Sequence, residues 1–254
     1  MAMKDVDFSR VFVVTADQRR SRRGPDRVPE ALTAVGTVPA GDVVLPFERT
    51  AGDEIQGLLG TAAGVVAVVR RLVRLRDWRI GVGVGAVELP LADSTRAARG
   101  TAYLAARTAV EEARGRSVGI ALRDGRGRDD ATPAPYGSVW RAESALVLWG
   151  ALLARRSAEG WEVADLLDAG LSNNAAADAL GISASAASQR AIRAAYAEDR
   201  RGAGLAIALL EDAAARPTGV GARSEDADVV PEDVGAVRET GITPPEDDVE
   251  EVPR

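Results

Sequence analysis

The chain has 254 residues, a formal net charge of −6, and neither cysteine nor histidine. This excludes disulfides, thiol nucleophiles, imidazole bases and Cys/His zinc sites, so a metal would need oxygen ligands and acid–base work would need Asp, Glu, Tyr, Arg or water. Lys4 is the only lysine, so the positive charge is almost all arginine, whose planar fork suits bidentate contact with phosphate.

The charge is uneven along the chain. Of 38 acidic and 32 basic residues, eleven and three fall in Pro217–Arg254, so the remainder carries a small positive excess. That tail is rich in Pro, Gly, Asp and Glu, lacks apolar periodicity, and is expected to be a disordered acidic appendage over residues 217–254. No apolar run reaches the length of a membrane span, and Met1–Arg10 is polar. A cytoplasmic protein that avoids the membrane is expected.

Taken in order, Val11–Thr15 reads as a buried strand running into Asp17. Arg19, Arg20, Arg22 and Arg23 follow it, where ligands commonly bind in α/β sheets, and are candidate phosphate contacts; the plainer reading is a flexible basic loop. Val28–Val38 suggests a short helix with Pro29 in its first turn. The runs Val43–Phe47 and Ile55–Leu59 flank Thr50-Ala51-Gly52-Asp53-Glu54, a hairpin pattern with two carboxylates at its tip. If the first strand pairs beside this hairpin, Asp17, Asp53 and Glu54 converge. Carboxylates held close repel unless a cation neutralises them, and hard oxygen ligands suit Mg²⁺ or Mn²⁺. The alternative is a solvated acidic turn.

Thr61–Leu75 has helical spacing of Val65, Val68, Val69, Leu72 and Leu75. Trp78–Glu88 is a strand with glycine on alternate positions, Gly81, Gly83 and Gly85, leaving one bare face for a helix or ligand to approach. Gly100–Arg114 is an Ala-rich helix carrying Tyr103 and Arg107, and Ser117–Leu122 adds a strand. Strand, helix, hairpin, helix, strand is the order of a ferredoxin-like α+β sandwich, here over residues 1–123.

Residues 124–138 read as a Gly/Asp/Pro-rich linker and 139–216 as an all-α domain. Val139–Arg156 places Trp140, Leu146, Trp149 and Leu153 on one expected face. Ser172 caps a helix Asn173–Leu180, Gly181 ends it, Ile182 follows as a buried plug, and Ser183 caps a second helix Ala184–Tyr196.

Two resemblances arise from these motifs. Thr15-Ala16-Asp17 and Gly52-Asp53-Glu54-Ile55-Gln56 resemble the two metal-bearing motifs of SatD-like proteins and, more distantly, the palm of class III nucleotide cyclases and GGDEF diguanylate cyclases. The resemblance implies that Asp17, Asp53 and Glu54 hold divalent metal and that the domain binds a nucleotide. Leu104-Ala105-Ala106-Arg107 resembles the cyclase helix that contacts the transition state, making Arg107 a candidate catalytic residue; Tyr103 stands where that helix has Asn, and Ala51 where GGDEF has its first glycine. Gly170-Leu171-Ser172, Ala176-Ala177 and Leu180-Gly181-Ile182-Ser183 resemble the helix-turn-helix of sigma-factor and response-regulator DNA-binding domains. There the second helix enters the major groove, which implies DNA contacts by Ser185, Ser188, Gln189, Arg190 and Arg193.

The function implied is a DNA-binding transcriptional regulator whose palm binds a nucleotide with Mg²⁺ or Mn²⁺. The alternative left open is a nucleotidyl cyclase or polymerase-like enzyme that makes a nucleotide signal. A homodimer fits the first reading, since such modules often read paired half-sites.

Overall fold

In the computed structural model, which describes residues 6–21, 24–126 and 136–215, the first strand is the spine. β1 (Val11–Gln18) is buried at every position, as a strand covered on both faces must be. It pairs antiparallel with β3 (Glu54–Leu59) on one side and β4 (Trp78–Gly85) on the other. β2 (Val43–Arg49) pairs antiparallel with β3, and β5 (Ile120–Asp124) lies parallel to β4. The mixed sheet therefore runs β2-β3-β1-β4-β5. The β2–β3 turn closes with Gly52 at φ 57°, a left-handed conformation that glycine adopts without strain. Thr50 N–H donates to Glu54 O and Glu54 N–H to Ala51 O, both at 3.0 Å.

Alternation along the strands separates two faces. Phe12, Val14, Ala16, Ile55, Leu59, Ile80, Val82, Val84, Ile120 and Leu122 join the core beneath α1 (Val28–Val35) and α2 (Ala62–Leu75). Helix α2 is rich in valine, whose branching weakens an isolated helix. Burial of Val65, Val68, Val69 and Leu72 decides the matter, each such side chain contributing about 1.5–3 kcal/mol. Thr61 caps it, its hydroxyl accepting from Gly64 N–H at 3.0 Å.

The opposite face carries Val11, Val13 and Leu58 under α3 (Thr101–Glu112). The glycines of β4 are what let α3 lie there. A Cβ on Gly81 would stand 2.6 Å from Ala106 O and 2.7 Å from Val110 Cα.

After the segment 127–135, which lies outside the described residues together with 216–254, the chain is helical: α4 (Ser138–Ala154), α5 (Ala158–Asp168), α6 (Asn173–Leu180), α7 (Ala184–Arg193) and α8 (Tyr196–Ala215). Across the expected boundary at 124–138, Leu146, Trp149 and Leu153 of α4 and Leu210 and Ala213 of α8 join the core of the sheet. Trp140 is not on that buried face; it is 37 % exposed and its ring stands 5.1 Å from that of Tyr136. It sits six residues before Leu146, a spacing that turns it to another side of the helix.

The second helix of the expected pair stops at Arg193 rather than Tyr196. Ala195 takes φ 49° and breaks it, and the carbonyl of Ala194 accepts Arg156 Nε at 2.9 Å. The following α8 was not foreseen as an element. Its Asp199 is fully buried and accepts from Arg70 Nη1 and Trp149 Nε1, both at 2.8 Å. Arg156 Nη1 lies 2.9 Å from Asp199 Oδ2, close enough for charge pairing but too oblique for a hydrogen bond. This knot ties α2, α4 and α8 together. No helix among the described residues is long and apolar enough to cross a membrane.

Candidate functional site

The first candidate lies at the carboxyl end of β1. Glu54, Asp17 and Arg79 are direct partners across β3, β1 and β4, so their side chains project from one face, the face covered farther along by α3. Asp17 is 7 % exposed. Arg79 Nη1 donates to its Oδ2 at 2.8 Å, and Arg114 Nε stands 3.8 Å from the same oxygen. Glu54 accepts from Thr50 Oγ1 at 2.6 Å, and its other oxygen lies 3.6 Å from Arg107 Nη1. Arg107 donates to Glu111 at 2.9 Å; this bond first, then the charge of Glu54, raises its pKa above the ordinary guanidinium range.

Asp53 sits in the hairpin turn, where its carbonyl accepts from Gln18 N–H at 3.1 Å. Gln18 pins the next loop back to the strand: its Nε2 donates to Pro25 O at 2.8 Å and its Oε1 accepts from Arg27 N–H at 2.9 Å. Between these pieces opens a cleft of about 600 Å³ lined by Asp17, Gln18, Arg20, Ser21, Asp53, Arg79 and Arg114. Three arginines thus meet two aspartates, an excess of positive charge suited to an anion. Arg20 holds φ 59°, unusual for a side-chain-bearing residue and a form of strain that clusters at functional sites.

The sequence-derived residues divide accordingly. Asp17 and Asp53 share the cleft with Arg20. Arg19 does not line it; its guanidinium lies against Gly119, and its buried Nε has no hydrogen-bond partner among the described residues. Arg22 and Arg23 lie outside the described residues. Glu54 and Arg107 pair with each other beside the cleft. Tyr103 is buried, its hydroxyl 3.2 Å from Thr95 Oγ1. Sequence reading missed Arg79 and Arg114. Their signals were present: Arg79 lies two residues before Gly81 and so shares its face, and Arg114 lies seven after Arg107 on the same helical stripe.

This arrangement does not fit a resident ion held by Asp17, Asp53 and Glu54 together. Arginines already neutralise Asp17 and Glu54, and among the described residues no group of three or more acidic side chains is placed to hold a metal. Asp17 and Asp53 fit a lesser demand. Mg²⁺ accompanying a polyphosphate needs only one or two protein carboxylates, with phosphate and water completing its shell.

The second candidate is the pair α6–α7. Ser172 and Ser183 cap the two helices, their hydroxyls accepting from Ala175 and Ala186 N–H at 3.2 and 3.1 Å. Gly181 ends α6 at φ 65°, and Ile182 N–H returns to Ala177 O at 3.0 Å, the bonding of a left-handed helix stop. Ile182 is half-buried, whereas Ala176, Ala177 and Ala187 are buried where the helices meet. Asn173 Nδ2 donates to Ala184 O at 3.0 Å and to Ser188 Oγ at 2.9 Å, bracing α7 from behind. Arg190 reaches toward Glu162 of α5 at 3.9 Å. Of the five expected contact residues, Ser188 is bonded to Asn173, Arg190 is half-buried, and Ser185, Gln189 and Arg193 are exposed. Ile192, 76 % exposed at the end of the same face, was not singled out from sequence.

Comparison with known proteins finds no matching family model, no matching curated protein and no matching solved structure.

Proposed function

We propose that the protein is a DNA-binding regulator that reads the major groove with α7 and senses a phosphorylated ligand, a nucleotide, in the Asp17 cleft. The observation that carries the first half is the exposed row Ser185, Gln189, Ile192 and Arg193 on a capped helix braced by Asn173. Gln pairs with adenine, Arg with guanine or phosphate, and an apolar tip with the thymine methyl. The turn at Gly181 and the buried alanines support the helix-turn-helix reading, in which α6 crosses the backbone. A homodimer on paired half-sites belongs to the same proposal.

The order β2-β3-β1-β4, with α1 and α2 on one face, supports a ferredoxin-like palm of the SatD and cyclase type. In it, Arg20, Arg79 and Arg114 would hold phosphate oxygens, and Asp17 with Asp53 would hold an accompanying Mg²⁺ or Mn²⁺. The cyclase alternative asks more of α3. Tyr103 is committed to Thr95 inside the core and Arg107 to Glu54 and Glu111, which favours binding over turnover.

Fluorescence anisotropy with random duplex DNA tests the first half; binding that weakens steeply with salt is expected, and salt-insensitive or absent binding refutes it. Calorimetry with each nucleoside triphosphate, with and without Mg²⁺, tests the second. Arg79→Ala should lose binding. Multiple-turnover accumulation of a cyclic or dinucleotide product would install the enzyme reading instead.

A further inference from the structure

A second cavity, of about 750 Å³, opens between α2, α5 and α8, a volume typical of small-molecule sites. Ala34, Ala67, Ala203 and Ile207 give it an apolar lining. Around them stand Arg70, Arg71, Arg74 and Arg200 against only Asp165 and Asp168. Arg74 pairs with Asp165 at 2.8 Å, and Arg70 and Arg200 with Asp168 at 2.7 and 3.4 Å. Arg71 has no carboxylate among the described residues. Its Nε donates to Thr37 Oγ1 at 2.8 Å, its Nη1 to Ala67 O at 2.9 Å and its Nη2 to Thr37 O at 3.1 Å. These neutral acceptors fix the guanidinium, yet a guanidinium has five N–H donors, so one on each Nη is still undirected. Burial first, and then the neighbouring charge of Arg70, lowers its pKa. Its surroundings thus disfavour the bare cation, and a bound anion would relieve that.

The glycines of α8 point the same way. Gly202 is required by packing, since a Cβ there would meet the Trp149 ring at 2.8 Å. Gly204 lines the cavity, and a Cβ there would meet nothing within 4 Å. A mid-helix glycine weakens a helix relative to alanine, and here packing does not demand it. What it provides is space in the cavity.

We propose that this cavity binds a small organic anion, its carboxylate or phosphate on the Arg71 fork and a compact apolar body against Ala67, Ala203 and Ile207. The cavity is distinct from the Asp17 cleft, and the proposal stands whether or not that cleft takes a nucleotide.

The test uses the full chain with three probes sharing one ring: benzoate, phenyl phosphate and neutral benzyl alcohol, titrated by calorimetry and ligand-observed NMR. At least one anion should bind about tenfold or more tightly than the alcohol, the worth of a charged hydrogen-bond pair. The better of the two identifies the head group. Arg71→Gln should lose that advantage. Gly204→Leu, whose Cβ would have no atom of the fold within 4 Å, should block binding by filling the space while near-ultraviolet circular dichroism stays unchanged. It leaves the Asp17 cleft intact, so phenyl phosphate held there would survive it. Equal affinity for alcohol and anions, or undiminished anion binding in Gly204→Leu, overturns the proposal; so does undiminished binding in a folded Arg71→Gln.

Discussion

Replacing Gly81 by alanine adds one methyl group at the point where α3 rests on β4. The new Cβ would stand only 2.2 Å from Val110 N, against 3.4–4 Å for an ordinary contact. Helix α3 must therefore withdraw by roughly 1.2–1.8 Å, and the obstructing atoms are backbone, which cannot turn aside as a flexible side chain would. Gaps of even about 0.5–1 Å forfeit a quarter to a half of the dispersion contacts they open, so the larger gap here forfeits at least that share of the contacts of Ala102, Ala105, Ala106, Ala109 and Val110, all buried in the wild type. Overpacking of this kind costs about 1–3 kcal/mol, and rigid walls on both sides place Gly81→Ala near the upper end. The stiffer unfolded chain of the variant offsets about 0.4–1 kcal/mol, leaving a net loss of about 2 kcal/mol. Gly204→Ala makes the same chemical change in open space and should gain about 0.5–1 kcal/mol. Urea denaturation of both variants gives the two signs directly. A Gly81→Ala protein as stable as wild type would refute the close-packed seating of α3. The same variant should weaken ligand binding in the Asp17 cleft, because α3 leads into Arg114.

Asp199→Ala leaves Arg156, whose side chain is wholly buried, without its counter-charge and should cost about 3–5 kcal/mol; a loss below about 1 kcal/mol in denaturant titration would contradict the knot's role. Burial raises the Tyr103 phenol above its ordinary 10.0, with the Thr95 hydrogen bond opposing and the charge of Glu48 adding. The folded state thus holds that proton more tightly, so the contribution is complete below pH 10 and is lost as pH rises through the folded pKa. Melting temperatures between about pH 9 and 11 should fall more steeply for wild type than for Tyr103→Phe, and parallel curves would count against it. On DNA, Gln189→Ala should relax sequence preference by about 1–3 kcal/mol at the base it reads. Arg193→Ala should lower the salt slope by about one unit. Ser188→Ala should act on the melting temperature instead, since Ser188 bonds Asn173; anisotropy titrations on matched duplexes separate the three.

Local chemistry was legible in the chain itself. Alternating glycines announced a bare strand face, Gly52 a tight turn, Ser172, Gly181 and Ser183 the limits of two helices, and the valine stripe of residues 65–72 a buried one. Each of these depends on steric or hydrogen-bonding demands met within a few residues. The element order and the mixed α+β class followed from them. Tertiary structure decided the partners. Asp17 and Glu54 do face each other, but Arg79 and Arg114, brought in from β4 and the turn that follows α3, neutralise Asp17, which no local pattern states. Ser188 occupies the expected helix, yet Asn173 binds it, leaving the exposed row to Ser185, Gln189, Ile192 and Arg193. Helix α8 escaped notice because its buried alanines and Asp199 carry little apolar contrast, and Asp199 is interpretable only beside Arg70, Trp149 and Arg156. A charge is read correctly only when its neighbours are known, and those neighbours lie 50 and 129 residues away along the chain for Trp149 and Arg70.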